Sequence, residues 1–422
     1  MCYCHQFSVA MFVAFACGTV ANCNDWPGFR GPTGNGISME ASLPLNWDSS
    51  TNIRWKAPLP HPANGSPIVS NGRVFVTAAQ DADGRRRALY CFDRRNGKQL
   101  WVHTTDISKT MPTHKTNPYC GSTPAANGEV VVVWHASAGL VCLDFEGKEV
   151  WSRNLGEFEH IWGYGTSPVI YQDRVILHSG PGDRIFIGAY DLQSGKTLWE
   201  VDEPQQGKNG SEREDGKYKG SWCTPIIANI DNQDQVICTM PTRVVAYDPK
   251  DGGVIWTCDG IRGPKGDLSY SSPLLGDGVL VSIGGFQGPG IGLRPGGKGN
   301  ITESSRLWRN DKNPQSIGSG VFVDGYVYRP NAGPGTIECL DPKTGEVLWT
   351  ERAETCWGSI VHVAGRCYVT DQSGKTHVFS PNPEKYEALA VNELGEPSNS
   401  TPAVSDGQIF IRTFGHLYCI GE

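Results

Sequence analysis

Short runs in which apolar and polar residues alternate recur along the whole chain and are separated by turn-forming residues. Residues 337–350, IECLDPKTGEVLWT, show the unit most clearly: a strand, a tight turn and a second strand. Asp341 and Pro342 favour the turn, and Gly345 supplies the positive φ that a bulged hairpin needs. After the first residues of the chain, no amphipathic helix is evident. The pattern therefore predicts an all-β protein.

The same unit occurs five times, at residues 90–101, 141–151, 188–199, 245–256 and 337–350. Each copy has a glycine four positions before a tryptophan, and the pairs are Gly97/Trp101, Gly147/Trp151, Gly195/Trp199, Gly252/Trp256 and Gly345/Trp349. A small residue stands two positions before the turn aspartate, namely Cys91, Cys142, Ala189, Ala246 and Cys339. Fixed small, turn and indole positions indicate that one packing contact is repeated. The period of about 40–57 residues is typical of propellers and solenoids.

This small-x-Asp…Gly-x-x-x-Trp pattern resembles the tryptophan-docking motif of the pyrroloquinoline-quinone (PQQ) repeat family of β-propellers. That family contains quinoprotein dehydrogenases and also non-enzymatic, BamB-like exported members. The resemblance implies that each tryptophan packs between the small residue of its own motif and the glycine turn of a neighbouring one. Trp55, in the run IRWKAPLP, has no glycine turn of its own and resembles an outermost strand separated from its blade.

Blade starts are marked by Ser/Thr-Pro followed by a strand, at Ser66, Thr123, Ser167, Thr224, Ser272 and Thr401. Ser319 and Ser359 are looser matches without the proline. Counting both predicts an eight-bladed β-propeller, whereas seven blades would require one of these weaker starts to be false. The last residues supply three strands, and the strand at Trp55 would complete that blade and close the ring.

Two blades depart from the repeat. The fifth carries the glycine-rich insertion 282–305 before Trp308, with no docking aspartate or glycine ahead of that tryptophan. The seventh has Tyr386 and Ala388 where a tryptophan is expected, which predicts an interrupted girdle. The insertion lacks the context of a phosphate-binding loop, so we interpret it as a long connection.

The chain divides into three predicted parts: a signal peptide at 1–21, an irregular segment at 22–52 and the propeller at 53–422. The apolar start, with Thr19-Val20-Ala21 as a cleavage site, predicts export to the periplasm or cell envelope, although its first residues lack lysine and arginine. Lipid attachment at Cys17 or Cys23 is an alternative without a good lipobox. No later run has the roughly 20 apolar residues of a membrane span.

Charge and cysteine usage narrow the function classes. A formal charge of −7 without a basic stripe argues against nucleic-acid binding. Of fourteen cysteines, Cys91, Cys142, Cys339 and Cys419 occupy the small docking position as compact apolar residues. Cys2, Cys4, Cys17 and Cys23 lie in or beside the leader. The pairing of the other six cysteines stays open, and they are Cys120, Cys223, Cys238, Cys258, Cys356 and Cys367. No CxxC occurs, which argues against a zinc ribbon or c-type haem.

For the quinoproteins, the resemblance implies a vicinal Cys–Cys disulfide above the PQQ, a tryptophan beneath it, a calcium held by Glu, Asn and Asp, and an aspartate base. The chain has no Cys-Cys dipeptide. We therefore expect neither PQQ nor calcium as a cofactor and identify no catalytic or metal-binding residue. Calcium ligands drawn from distant loops would leave no motif, so calcium stays an open alternative.

Aromatic residues lie close to the blade starts, in loops that would open on one face near the propeller axis. They predict a ligand funnel and are Tyr119, Trp162, Tyr164, Trp222, Tyr270 and Trp357. Polar side chains nearby in sequence are His114, His160, Arg262, Lys265 and Asp267. The alternative is that these aromatics pack the ends of the blades.

Taken together, these patterns favour a non-catalytic exported binding or scaffolding propeller, BamB-like and monomeric. Its ligand would be a protein, a peptide or a glycan. A PQQ- and calcium-dependent dehydrogenase and a polysaccharide-binding module are the two alternatives.

Overall fold

The computed structural model describes residues 25–182, 184–204 and 212–422. The predicted signal peptide at 1–21 lies outside these ranges. Two short helical turns accompany the strands, the 3-10 turn Ala136–Ala138 and α1 (Thr302–Ser305). None of the helices in the described ranges has the length and hydropathy of a membrane span.

The structure is otherwise built from 35 β-strands. In chain order they are β1 (Ile53–Pro58), β2 (Ile68–Ser70), β3 (Arg73–Ala79), β4 (Arg86–Asp93), β5 (Gln99–Asp106), β6 (Ala125–Ala126), β7 (Val130–Trp134), β8 (Leu140–Asp144), β9 (Glu149–Arg153), β10 (Val169–Tyr171), β11 (Arg174–His178), β12 (Phe186–Asp191), β13 (Thr197–Asp202), β14 (Lys219–Ser221), β15 (Ile226–Ile230), β16 (Gln233–Thr239), β17 (Arg243–Tyr247), β18 (Val254–Asp259), β19 (Asp267–Ser269), β20 (Leu274–Gly276), β21 (Val279–Ile283), β22 (Gly290–Leu293), β23 (Gly299–Asn300), β24 (Arg306–Asn310), β25 (Val321–Val323), β26 (Tyr326–Asn331), β27 (Thr336–Leu340), β28 (Val347–Arg352), β29 (Val361–Val363), β30 (Arg366–Thr370), β31 (Lys375–Ser380), β32 (Glu387–Glu393), β33 (Ala403–Ser405), β34 (Gln408–Arg412) and β35 (His416–Ile420).

These strands form eight blades, each built on four antiparallel strands, which confirms the predicted eight-bladed β-propeller. In the fourth blade β23 adds a fifth, parallel strand beside β18. Seven blades are consecutive meanders: β2–β5, β6–β9, β10–β13, β15–β18, β20–β22 with β24, β25–β28 and β29–β32. The eighth joins β33, β34 and β35 to β1, with Trp55 opposite Cys419. The ring is thus closed by strands from its two ends, as the sequence predicted.

Docking tryptophans connect neighbouring blades at six of the eight junctions. The indole N–H of Trp55 donates to the carbonyl of Arg94, 2.8 Å away in the following blade. The same bond, at 2.7–3.0 Å, joins Trp101 to Phe145, Trp151 to Leu192, Trp199 to Pro249, Trp308 to Pro342 and Trp349 to Asn382. In most of these contacts the accepting residue follows the turn aspartate directly, so the turn itself presents the carbonyl.

The motif glycines receive the tryptophan of the preceding blade. Gly97, Gly147, Gly195, Gly252 and Gly345 lie against Trp55, Trp101, Trp151, Trp199 and Trp308, respectively. A Cβ on Gly97 would stand 2.5 Å from the Trp55 ring, and its φ of +69° also favours glycine. The small residue of each motif lies opposite its own tryptophan in the strand ladder, as Cys91 does with Trp101. Close approach of an indole explains both requirements.

Trp256 is the exception among the predicted docking tryptophans. Its indole N–H donates to Oε1 of Gln235 in its own blade, 2.8 Å away, because the fifth blade has no glycine turn to accept it. The insertion covers it instead: β23 pairs with β18, placing Gly299 opposite Trp256. Trp308, which follows the insertion and lacks the preceding motif, does dock on Gly345.

Trp47 occupies the position between the seventh and eighth blades where the repeat lacks a docking tryptophan. Its ring stacks on Tyr368 with centroids 6.5 Å apart, and its side chain is 4% exposed. Asn392 on β32 holds the segment, accepting from the Trp47 backbone N–H at 2.9 Å and donating to the carbonyl of Leu45 at 3.0 Å. A tryptophan from the irregular N-terminal segment therefore packs between the seventh and eighth blades.

A ring of hydroxyl groups surrounds the axis. Seven of the eight blade-start residues donate their backbone N–H to the side-chain hydroxyl of the next blade's start, at 2.9–3.1 Å. The accepting residues are Thr123, Ser167, Thr224, Ser319, Ser359, Thr401 and Ser66. The eighth link is inverted, since the Ser272 hydroxyl donates to the carbonyl of Thr224 at 2.8 Å. Ser319 and Ser359 thus have the same role as the starts that precede a proline.

All ten cysteines in the described ranges are buried free thiols. The Sγ atoms of Cys223 and Cys238 are in contact, 3.8 Å apart, without a bond between them. Burial raises the pKa of Cys142 to about 12 and that of Cys120 to about 11.

Candidate functional site: an uncharged axial funnel

A cavity of about 370 Å³ opens at the centre of the propeller. Seven of the eight blade-start residues line it, so it lies on the propeller axis. Its walls come from the loops that precede the innermost strands, where each blade approaches the axis most closely. We call this cavity the axial funnel. Its volume falls within the range of roughly 300–1,000 Å³ found for small-molecule sites.

Four of the six predicted aromatic residues line the funnel: Trp162, Trp222, Tyr270 and Trp357. Two of them are set side by side by a parallel strand pair, because β14 ends just before Trp222 and β19 just before Tyr270. The Trp222 backbone N–H donates to the carbonyl of Ser269 at 2.8 Å, and the Trp222 and Tyr270 rings lie 5.3 Å apart. Trp162 follows at 6.0 Å from Trp222. The rings of Trp162, Trp222 and Tyr270 form one continuous aromatic wall.

Tyr119 and Tyr164 do not line the funnel but pack behind it. Both rings sit on the buried Arg87 guanidinium, at 5.4 and 5.2 Å. The Tyr119 hydroxyl donates to the carbonyl of Met111 at 2.7 Å, which turns that ring away from the axis. The contacts of these two residues match the alternative interpretation, packing at the blade ends.

Two lining aromatics escaped sequence reasoning, Phe29 and Phe286. Phe286 lies in the glycine-rich insertion, 6.4 Å from Trp162, and extends the aromatic wall. Phe29 lies in the N-terminal segment. Each is a single phenylalanine among glycines in an irregular stretch, and that isolation is the signal that would have identified them.

The N-terminal segment brings Phe29 to the axis by crossing the propeller. It pairs with the first blade through Trp26 and Val69, whose backbone groups exchange two hydrogen bonds of 2.9 Å. At its other end it pairs with the seventh blade through Ile37 and His362. Phe29 lines the axial funnel and also a second cavity of about 300 Å³, so it separates the two. We call the Phe29 ring the floor of the funnel.

Side-chain amides form the polar part of the lining. Asn399 donates to Oδ1 of Asn64 at 3.0 Å, and Asn64 donates to Oδ1 of Asn117 at 2.9 Å. Asn117 in turn donates to the carbonyl of Trp162 at 2.7 Å. This chain of amides links four blades across the ring closure and fixes the orientation of each group. Gln315 also lines the funnel, and no hydrogen bond of its side-chain amide occurs within the described residues.

Of the polar residues predicted near the funnel, His114 alone lines it. Asp267 is buried and paired with Arg213 at 3.1 Å and Arg262 at 3.3 Å. Lys265 donates to Gln287 at 2.8 Å. His160 packs edge-on behind Trp222, and burial lowers its pKa to about 4. Among the described residues, no Asp, Glu, Lys or Arg side chain lines the funnel.

The lining does not fit a PQQ–calcium site. PQQ carries three carboxylates, which require cationic or strongly donating partners, and calcium prefers carboxylate and carbonyl oxygens. The described lining offers aromatic rings, amides, hydroxyls and one histidine. Nor do three His, Cys, Asp or Glu side chains come together as metal ligands anywhere in the described ranges.

Comparison with known proteins agrees with this architecture. The family model described as "Outer membrane protein assembly factor BamB" matches residues 45–119, 85–351 and 333–419. A quinohemoprotein alcohol dehydrogenase, ADH IIB from Pseudomonas putida, is 23% identical over 325 residues, 72% of this chain and 44% of that protein. BamB from Burkholderia pseudomallei is 23% identical over 241 residues, 56% of this chain and 53% of that protein. The chain thus spans about half the length of these relatives.

Solved structures give the same fold. The quinohemoprotein alcohol dehydrogenase from Comamonas testosteroni superposes with a TM-score of 0.68 at 16% identity, covering 94% of this chain and 81% of that one. BamB from Moraxella catarrhalis superposes with a TM-score of 0.58 at 15% identity, covering 88% and 97%. Enzymes and an assembly factor therefore share this architecture. On its repeats, its ring of eight blades and the match over most of its length, the chain belongs to the PQQ-repeat β-propeller family represented by the BamB family model.

Proposed function

We propose that this chain is a non-catalytic binding propeller of the cell envelope whose axial funnel takes an uncharged ligand with apolar faces. The observation that carries the proposal is the neutral aromatic lining of the funnel. A charged ligand would lose its hydration there without gaining an ion pair, which is strongly unfavourable. An uncharged ligand would bury its apolar faces on the aromatic wall, and its loss of hydration would cost little free energy.

A quinoprotein dehydrogenase is the second candidate, favoured by the names of two relatives. It conflicts with the described lining, which provides no carboxylate to serve as base or calcium ligand and no cation for PQQ. The binding proposal requires neither group. The same proposal includes export, a monomeric state and a protein partner in the envelope. The name of the BamB relatives indicates such a partner for those proteins.

Two titrations test the proposal. Isothermal titration with PQQ and Ca²⁺ should give no heat of binding, and the protein should show no dye-linked oxidation of alcohols or sugars. Micromolar PQQ uptake together with such oxidation would overturn the proposal in favour of the dehydrogenase.

The second titration uses matched pairs of small aromatic probes, for example benzamide and benzoate, observed by saturation-transfer NMR. The neutral member should receive saturation from the wild-type protein, and its carboxylate counterpart should not. Trp222→Ala should abolish the effect, whereas Val391→Ala on the exposed outer strand should leave it unchanged. Equal binding of both members would show that the funnel does not select by charge.

A further inference from the structure

We propose that the ligand of the axial funnel is the end of a neutral saccharide chain, one or two unmodified sugar rings. This inference rests on the proposed function and names its ligand class. Three observations carry it: the hydroxyl ring, the unused polar groups of the wall and the floor made by Phe29.

The hydroxyl ring has hydrogen-bond donors available to the cavity that it lines. Seven blade-start hydroxyls accept a backbone N–H, and within the described residues none of these seven donates a hydrogen bond to protein. Each therefore keeps its own hydrogen for a partner in the funnel, where they all lie. Sugar hydroxyl and ring oxygens accept such bonds, and a ligand that left these donors unmatched would bind less well.

The wall adds polar groups between its aromatic faces. The Tyr270 hydroxyl, the Gln315 amide and the indole N–H of Trp357 have no hydrogen-bond partner in the described part of the chain. A saccharide has apolar C–H faces and a rim of hydroxyls that both donate and accept. It matches a lining in which rings and single polar groups alternate. A purely aromatic ligand would cover the rings but leave these groups unsatisfied.

The amide chain makes the site rigid before ligand binds. Asn64, Asn117 and Asn399 are oriented by their bonds to one another and to the backbone. Side chains that are already fixed lose little conformational entropy on binding, which favours affinity for a weakly interacting ligand such as a sugar. The absence of ionic side chains in the described lining excludes uronic, sialylated, phosphorylated and amino sugars, because their charges would be buried without a partner.

The floor selects a chain end. Phe29 lines both the funnel and the second cavity, so we expect its ring to stop a saccharide that enters from the mouth. Only a terminal unit can enter, with the rest of the saccharide leaving through the mouth past Phe286, which is 42% exposed.

The test is isothermal titration of the full chain with neutral hexose trisaccharides of the gluco-, manno- and galacto-series, beside matched uronic-acid trisaccharides. We expect saturable binding of at least one neutral series and none of the acidic ones. Trp357→Ala and Gln315→Ala should each weaken it roughly tenfold, about 1.4 kcal/mol. Val391→Ala is the control, and thermal melts establish that each variant is folded.

Chain-end selection is tested by blocking the non-reducing and the reducing terminus in turn with a bulky group; one block should abolish binding and the other should not. The outcomes separate the two proposals. If no sugar binds but neutral aromatic probes still require Trp222, the saccharide inference is wrong and the binding proposal stands. If only PQQ binds, both are wrong.

Discussion

The backbone N–H of Thr401 donates a hydrogen bond of 2.9 Å to the hydroxyl of Ser66. The two residues are 335 positions apart in sequence and belong to the last and first blade starts. This bond closes the hydroxyl ring at the axis, while β1 and β35 close the outer part of the same junction. The ring is therefore closed both near the axis and at the outer edge of the eighth blade.

Replacement of Ser66 by alanine should destabilise the propeller. The Thr401 N–H is buried at this junction and would lose its acceptor, at a cost of about 1–3 kcal/mol. Ser66→Thr is the matched control, because threonine has the same role at Thr123 and keeps the oxygen. Urea melts of the two variants should differ by that amount. Equal midpoints would mean that water replaces the lost hydroxyl.

Replacement of Trp349 by alanine should lower the free energy of unfolding by about 3–5 kcal/mol. The ring packs on Tyr328 and Tyr386, and its N–H bonds Asn382 in the next blade. Trp349→Phe keeps most of the packing and removes the hydrogen bond, so it should lose less. Denaturant melts measure both, and a loss near zero for alanine would contradict the docking role.

Trp47→Ala should destabilise the protein by a comparable amount, about 3 kcal/mol or more, although this tryptophan belongs to no repeat. Its ring is buried against the seventh and eighth blades and its backbone is held by Asn392. Met39→Ala is the control, since Met39 lies in the same segment but is 95% exposed. Thermal melts should separate the two variants clearly. Similar melting temperatures would show that the segment contributes nothing to the fold.

Stability should fall as the pH drops from 6.5 towards 4. Burial lowers the pKa of His135 to about 3 and those of His160 and His178 to about 4. The unfolded chain binds protons at these histidines near pH 6.5, so in this window it carries more protons than the folded chain, and protonation favours unfolding.

The expected loss is about 1 kcal/mol for each of these histidines between pH 6 and pH 5. Urea melts across this range measure it, and His178→Gln should reduce the slope by about one third of the contribution of these three histidines. A stability that is flat from pH 7 to 5 would mean that these side chains are accessible to protons in the folded state.

The ten described cysteines should resist alkylation in the native protein. They are buried, and burial raises the pKa of Cys419 and Cys91 to about 12, so few thiolates are present at pH 8. Iodoacetamide treatment followed by peptide mass spectrometry should find them unmodified in buffer and modified in guanidinium chloride. Rapid native labelling of Cys142 would contradict its place beneath Trp151.

The repeat made the fold predictable because its physical requirements are local. Each requirement appears in the sequence as a residue type at a fixed spacing. These are a glycine at positive φ, a small residue opposite an indole and a hydroxyl at each blade start. Ser319 and Ser359 were recognised without the proline because the hydroxyl, not the ring of the proline, makes the axial bond. Trp256 could not be predicted to bond Gln235, because that depends on a missing turn in another blade.

The site was predictable in part for the same reason. Trp222 and Tyr270 follow short strands at the axis, so their position along the chain indicated where they lie. Tyr119 and Tyr164 occupy similar positions, yet Arg87 holds them outside the funnel, and no sequence pattern encodes that contact. Phe29 reaches the axis only because its segment crosses the propeller, a path set by backbone pairing with distant blades.

The pairing of β1 with β35 also orders events during synthesis. The ribosome releases β1 before every other strand of the propeller, and its partner emerges only when the final strand has been made. Until then β1 has no strand partner and the eighth blade is incomplete. The nascent chain therefore exposes unpaired strand edges to chaperones and proteases. A chain cut short before β35 could not form a ring, so truncated products should be cleared rather than accumulate.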